Sequence, residues 1–257
     1  MGSTAKKEWV VGYRRLLGDE YQKITPWKGS LGELTILSPE VGYYADPFVL
    51  EGYIFMEHFN GEKGLIVVFD TVTQSVRTII DEPHHMSFPN VFKHEGEYYM
   101  VPEEGEIAKV RIWKATNFPY EWEPVHTIIG GGMHPGDTEL FEWDGKWNLF
   151  TTSGNDHILY LLQSDSLLGS YQYVLEKEIQ NSRPAGKMFI RNGMIFRPVQ
   201  KCENQYGEKV IMKVVELNPY AERENPKEYS PWVTEMNGYH TFNFDHEFVV
   251  VDGRYEK

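Results

Sequence analysis

The chain has a single cysteine, Cys202, no excess of basic residues and no long apolar run. One cysteine excludes an internal disulfide and a thiolate zinc cluster, and leaves Cys202 the role of a small, partly buried side chain. No segment approaches the roughly 20 apolar residues that span a bilayer as a helix, so no membrane insertion is expected. No positive-then-apolar leader opens the chain, so a cytoplasmic address is the default expectation. Gly2-Ser3-Thr4-Ala5 reads as a tag remnant or a frayed end. With 25 Lys and Arg against 38 Asp and Glu the formal charge is −13. A nucleic-acid partner needs a basic footprint to exchange for phosphate counterions, and none is present. An anionic membrane surface would repel the chain as well; a neutral or cationic ligand suits it better. The histidines show neither the two-His helical spacing nor a Cys-His pattern, so no metal site is implied. Gly130-Gly131-Gly132 is followed by no Lys-Ser/Thr pair and reads as a plain loop. No cofactor is implied. No Pro/Gly/Ser-rich linker divides the chain, which points to one domain over residues 8–257; oligomeric state is not legible.

Aromatics, by contrast, make up 14% of the residues, and they favour strands. One pattern recurs: a polar or Pro-containing start, an alternating strand, a tight turn, and a second alternating strand. The copies run Ala45–Leu50 into Tyr53–Met56, Ser87–Phe92 into Tyr98–Val101, and Gly136–Phe141 into Trp147–Phe150. Two more run Arg183–Phe189 into Met194–Phe196 and Tyr239–Phe244 into Phe248–Val251. Their turns, Glu51-Gly52, Glu95-Gly96, Asp144-Gly145 and Asn192-Gly193, include the strongest short hairpin signals, because both central residues need positive φ. The turn glycines lie 44, 49 and 48 residues apart. A period in the forties with about four strands per unit is that of a propeller blade.

Outer strands are expected at 64–70 with 76–80, 109–115 with 125–129, 158–164 with 171–175, and 209–217. Residues 218–230, rich in Pro, Glu and Asn, read as a long loop. The fifth unit ends without an outer strand, and Glu8–Arg14 is placed to supply it. The expected fold is all-β, a five-bladed propeller closed by the N-terminal strand, which leaves few exposed edges.

In such a ring the first strand of each blade lines a central channel. That brings Asp46, Phe88, Asp137, Pro184 with Arg183, and Thr241 with His240 around one mouth. Glu103 approaches the same region from Val101-Pro102-Glu103-Glu104, and Glu57 has a comparable place in the first unit. Breaking a glycosidic bond needs a proton for the leaving oxygen and a carboxylate that activates water or attacks carbon. Two acids in one narrow channel split their pKa values, which suits that division of labour.

The ordered motifs carry a family resemblance. They are Ala-Asp-Pro-Phe at 45–48, Ser-Phe-Pro-Asn-Val-Phe at 87–92, Val-Pro-Glu at 101–103 and Ala-Thr-Asn-Phe-Pro at 115–119. Gly-Asp-Thr-Glu-Leu-Phe at 136–141, Ser-Arg-Pro-Ala-Gly at 182–186 and His-Thr-Phe at 240–242 complete the set. Over roughly residues 9–254 the chain resembles the propeller domain at the N-terminus of glucosamine inositolphosphorylceramide transferases and in related bacterial proteins. That domain is similar to the five-bladed glycoside hydrolases of family 43. The resemblance implies a base or nucleophile, a carboxylate that orients substrate, and a Glu general acid. Asp46 matches the first role, and Asp137 and Glu103 are the matches for the others. Phe88 stands where those hydrolases often have an acid.

That reading needs Asp46, Asp137 and Glu103 to share one cavity. Arg183, Arg197 and Lys187 are candidates to hold a carboxylate ionised. Gln200, His240, His134 and His85 are candidates to bind sugar hydroxyls. Trp113, Trp122, Trp143 and Trp147 read as blade packing. The expected function is glycoside-hydrolase-like, cleaving or transferring a glycosyl group of a carbohydrate or glycoconjugate. The alternatives are a non-catalytic glycan-binding module associated with a glycosyltransferase, and a protein-interaction scaffold.

Overall fold

The computed structural model describes residues 7–24, 31–153, 158–225 and 238–256. Twenty strands lie among them. In chain order they are β1 (Lys7–Arg15) and β2 (Thr35–Leu37), then β3 (Tyr43–Leu50), β4 (Tyr53–Phe59), β5 (Gly64–Asp70) and β6 (Ser75–Ile80). Next come β7 (Ser87–His94), β8 (Glu97–Glu103), β9 (Val110–Asn117) and β10 (Glu121–Ile129). They are followed by β11 (Pro135–Trp143), β12 (Lys146–Ser153), β13 (Ile158–Ser164) and β14 (Gln172–Glu178). The last are β15 (Phe189–Arg191), β16 (Met194–Lys201), β17 (Lys209–Leu217), β18 (Tyr220–Glu224), β19 (Phe242–Phe244) and β20 (Phe248–Glu256). They form five antiparallel four-stranded sheets, β3–β6, β7–β10, β11–β14, β15–β18 and the composite β19-β20-β1-β2. These are the five blades of the propeller.

The hairpin turns behave as their sequences dictate. Glu51-Gly52, Glu95-Gly96, Asp144-Gly145 and Asn192-Gly193 all have positive φ at both residues, the type I′ geometry that matches strand twist. Ring closure comes from the N-terminal strand: β1 pairs β20 along its whole length, from Lys7↔Glu256 to Arg15↔Phe248. The N-terminal region supplies two strands of that blade, since β2 pairs the outer edge of β1. Two expectations fail. Cys202 is exposed rather than partly buried. Tyr220–Glu224 is not loop but the outermost strand of the fourth blade, paired to β17 from Lys213↔Glu224 to Leu217↔Tyr220. Asn218 and Pro219 form the turn into this strand, and residues 226–230 of that expected loop lie outside the described residues.

The core is divided into five apolar clusters, one between each pair of neighbouring blades. Strand alternation does this directly, because successive side chains point to opposite faces. Ile54 and Met56 of β4 join the cluster shared with the closing blade, while Phe55 between them joins the cluster shared with the second blade. Trp113 and Trp147 are buried in these clusters, as expected, while Trp143 is 37% exposed. Polar stitches tie blades at the channel. Asn243 accepts the Lys187 N–H at 2.7 Å and donates to the Pro47 carbonyl at 2.8 Å, linking the fourth, fifth and first blades. No described helix is long and apolar enough to cross a membrane.

Candidate functional site at the channel mouth

Three innermost strands start with the same kink. Their ladders slip between Ala45 and Phe48, Ser87 and Asn90, and Gly136 and Glu139. At each slip one non-glycine residue has positive φ: Asp46 at 52°, Phe88 at 46° and Asp137 at 22°. Such bulges re-aim a side chain, and here two of the three are carboxylates.

A cavity of about 120 Å³ opens at this mouth, lined by Asp46, Glu57, Glu103, His85, Arg183 and His240. Trp9, Tyr43 and Tyr206 also wall it. It is smaller than the roughly 300 Å³ at which drug-sized pockets begin.

Asp46 is 6% exposed. Its Oδ1 accepts the Thr241 hydroxyl at 2.8 Å and lies 3.6 Å from His240 Nδ1. Burial pushes this carboxyl up to about 6; His240 and the Thr241 bond oppose the rise, and Asp137 and Asp252 add to it. His240 is itself bonded through Nδ1 to the buried Asp252. Burial works against the imidazolium, but Asp252 and Asp46 outweigh it and lift His240 to about 9. The ring is fixed by stacking on Trp9, with centroids 4.0 Å apart and planes 12° off parallel. Asp252 also accepts the backbone N–H groups of Asp46, His240 and Thr241 at 3.1, 2.9 and 2.9 Å. Asp46, His240 and Asp252 are the one group among the described residues whose ligand atoms lie close enough, within 4.8 Å, to hold a cation. Those atoms already bond one another and Thr241, so the set holds a proton well.

On the other side Arg183 organises the acids. Its Nε donates to Asp137 Oδ2 at 2.6 Å and its Nη2 to Glu103 Oε2 at 3.3 Å. Asp137 does not line the cavity; it stands behind Arg183, where Gln200 Nε2 also donates to it at 2.6 Å. Burial, opposed by Arg183 and reinforced by Glu103, pushes Asp137 up to about 7. The shared cavity required of Asp46, Asp137 and Glu103 is therefore formed by Asp46 and Glu103, with Asp137 one bond behind. Glu57 supplies the third cavity carboxylate, 4% exposed.

The remaining candidates separate clearly. His85 and His240 line the cavity, and Gln200 sits two bonds behind it, through Asp137 and Arg183. Exposed His134 bonds the Gly105 carbonyl and does not line it. Arg197 is fully buried between the third and fourth blades, donating to Glu222 at 2.8 Å and to the Ser182 carbonyl at 2.8 Å. It is a packing cation that holds Glu222 ionised and does not line the cavity. Lys187 donates to the Val49 carbonyl and is also outside the cavity. Sequence reading missed Trp9, Tyr43, Tyr206 and Asp252. Asp252-Gly253 looks like a turn dipeptide, whereas the pairing of β20 with β1 carries the strand through it.

The family described as "Glucosamine inositolphosphorylceramide transferase 1, N-terminal" matches residues 42–246. Glucosamine inositolphosphorylceramide transferase 1 of Oryza sativa subsp. indica is 30% identical over 233 residues, covering 78% of this chain and 30% of that protein. Its Arabidopsis thaliana namesake is 26% identical over 265 residues, covering 85% and 34%. The chain thus spans about a third of the length of these relatives. An α-L-arabinofuranosidase from Podospora anserina, solved with cellotriose, superposes with TM-score 0.62 at 11% identity, over 82% of this chain and 90% of that one. A family 43 β-1,3-galactosidase solved with galactodeoxynojirimycin gives 0.54 at 14% identity, over 84% of each chain. The shared feature is the propeller fold.

Proposed function

Since this chain belongs to the family of glucosamine inositolphosphorylceramide transferase 1 N-terminal domains, we propose that its channel mouth takes one sugar unit of a glycoconjugate and acts on its glycosidic bond. Asp46 is the carboxylate that activates water or attacks the anomeric carbon. The observation that carries this reading is the setting of Asp46. It is a buried carboxylate, gripped by Thr241 and flanked by His240, opening on a small cavity walled by Trp9, Tyr43 and Tyr206. Aromatic walls give flat apolar surface to a sugar's C–H faces, while carboxylates accept its hydroxyls. An Asp held near 6 is ionised at neutral pH yet basic enough to accept a proton. The carbohydrate-linked relatives and fold neighbours support the ligand class.

A binding-only reading has its own support: Arg183 engages both Glu103 and Asp137, and Phe88 replaces an acid at the second kink. A panel of aryl glycosides and oligosaccharides separates the two. Catalysis predicts turnover that rises as pH passes about 6, and a loss of about 100-fold or more in folded Asp46→Asn. Saturable glycan binding without turnover selects the binding module instead.

A further inference from the structure

We propose that Glu57, and not Glu103, holds the proton taken by the leaving oxygen, with the neutral ring of His85 as the positioning residue that shields it from water. This rests on the catalytic reading of the same cavity. The three cavity carboxylates differ in what they are bonded to. Glu103 Oε2 accepts the Asp137 N–H at 2.6 Å as well as Arg183, so it is tied up as an acceptor beside a cation. Asp46 has Thr241 and the His240 ring. Glu57 has neither: its Oε1 is buried without a hydrogen-bond partner, and the basic group brought towards it is His85, with Nε2 at 3.5 Å.

His85 is poorly suited to carry charge. Its Nδ1 accepts the Gly64 N–H at 2.9 Å, so the neutral ring has its hydrogen on Nε2, facing Glu57. A second proton on Nδ1 would break the Gly64 bond. Gly64 is needed for this approach, because a Cβ there would lie 2.3 Å from the Met86 carbonyl, 2.8 Å from Glu57 Oε1 and 2.9 Å from His85 Cε1. The surroundings of Glu57 favour its protonated form. Burial first, then Asp46, Glu103, Asp137 and Asp252, hold its carboxyl well above the ordinary range. Burial keeps the His85 imidazole low, against the pull of Asp46 and Glu106. The phenol of Tyr43, lining the same cavity, is raised and stays neutral.

In the step, Glu57 O–H passes its proton to the glycosidic oxygen as the bond from that oxygen to the anomeric carbon breaks. Water forms the new bond to that carbon and gives its proton to Asp46, so one water is consumed per linkage.

The test combines carboxyl ¹³C NMR of glutamate-labelled protein with leaving-group kinetics. Burial lifts Glu139 to about 8 as well, so at pH 7 two glutamates should stand at the protonated position, and one of the two signals should vanish in Glu57→Gln. In His85→Ala that signal should titrate about one pH unit or more lower, as water replaces the ring. Glu57→Gln should lower kcat/KM about 100-fold or more for poor leaving groups and less than about 10-fold for the best. An ionised Glu57 at pH 7, or an equal loss across leaving groups while Asp46→Asn stays inactive, overturns the inference and leaves Asp46 its role. No turnover by the wild-type protein on any glycoside overturns the catalytic reading, and the acid role with it.

Discussion

Asp252→Asn tests the electrostatic frame of the mouth. The wild-type carboxylate is fully buried, accepts three backbone N–H groups and neutralises His240. Asparagine can keep the two bonds made by Oδ1, from His240 and Thr241. Its amide nitrogen, however, would replace Oδ2 and face two donors, the Asp46 N–H and His240 Nδ1. Removing one partner of a buried pair costs about 3–5 kcal/mol. At about 2–4 °C per kcal/mol for a domain of this size, that is a fall of roughly 10 °C in Tm.

A pH signature accompanies the loss. His240 is raised in the fold from 6.5 to about 9. Its contribution is therefore fully present below about 6.5 and disappears as pH rises through about 9. At about 1.4 kcal/mol per pH unit, that is on the order of 3 kcal/mol of alkaline sensitivity. In Asp252→Asn most of the upward pull is gone, so this component should flatten. Urea unfolding followed by circular dichroism at pH 6 and pH 9 measures both quantities. A loss under about 1 kcal/mol at pH 6, or an unchanged difference between the two pH values, refutes the reasoning.

Glu222→Gln should destabilise by about 3–5 kcal/mol in urea melts, because it strands the fully buried Arg197 and removes the partner of Lys213. Burial opposes the ionised form, but Arg197 and Lys213 hold Glu222 down to about 2, so its stabilisation is present above about 4.5 and is lost as pH falls towards 2. Gly207→Ala puts a Cβ 2.4 Å from the Trp9 ring at a φ of +62°, so Trp9 must leave its stack on His240. Trp fluorescence should shift and glycan binding at the mouth should weaken about 10-fold or more, the equivalent of about 1.4 kcal/mol.

The propeller was readable because hairpin turns leave local marks: a residue pair that must adopt positive φ, repeated at nearly constant spacing. The missed strand Tyr220–Glu224 has no such mark. It is Pro-flanked and charged, and all its pairing partners come from the packed edge of β17. The mouth was readable where it lies on the repeat, at Asp46, Asp137 and Thr241, and at Glu103 beside it. It was unreadable where tertiary approach decides. Trp9 reaches His240 from the opposite end of the chain, and Arg197 resembled a channel cation until its partner Glu222 was placed beside it.

The three kinks carry one more consequence. Positive φ at a non-glycine residue costs about 1–3 kcal/mol, yet the second kink holds Phe88, fully buried edge-on against Phe48 at 4.8 Å. The kink is therefore a property of the blade, not of acid chemistry. Blades one and two each place a carboxylate on their second strand opposite the residue just before the kink: Glu57 opposite Ala45, and Glu103 opposite Ser87. In the closing blade Asp252 faces Thr241 in the same manner. Two of these carboxylates anchor the kink of the next blade, Glu103 taking the Asp137 N–H and Asp252 taking the Asp46 N–H. Glu57 precedes the Phe88 kink and, among the described residues, accepts no such N–H. Of three equivalent carboxylates, two are committed to holding backbone. The one left over lines the cavity, keeps one oxygen buried and unpartnered, and is free to carry a proton.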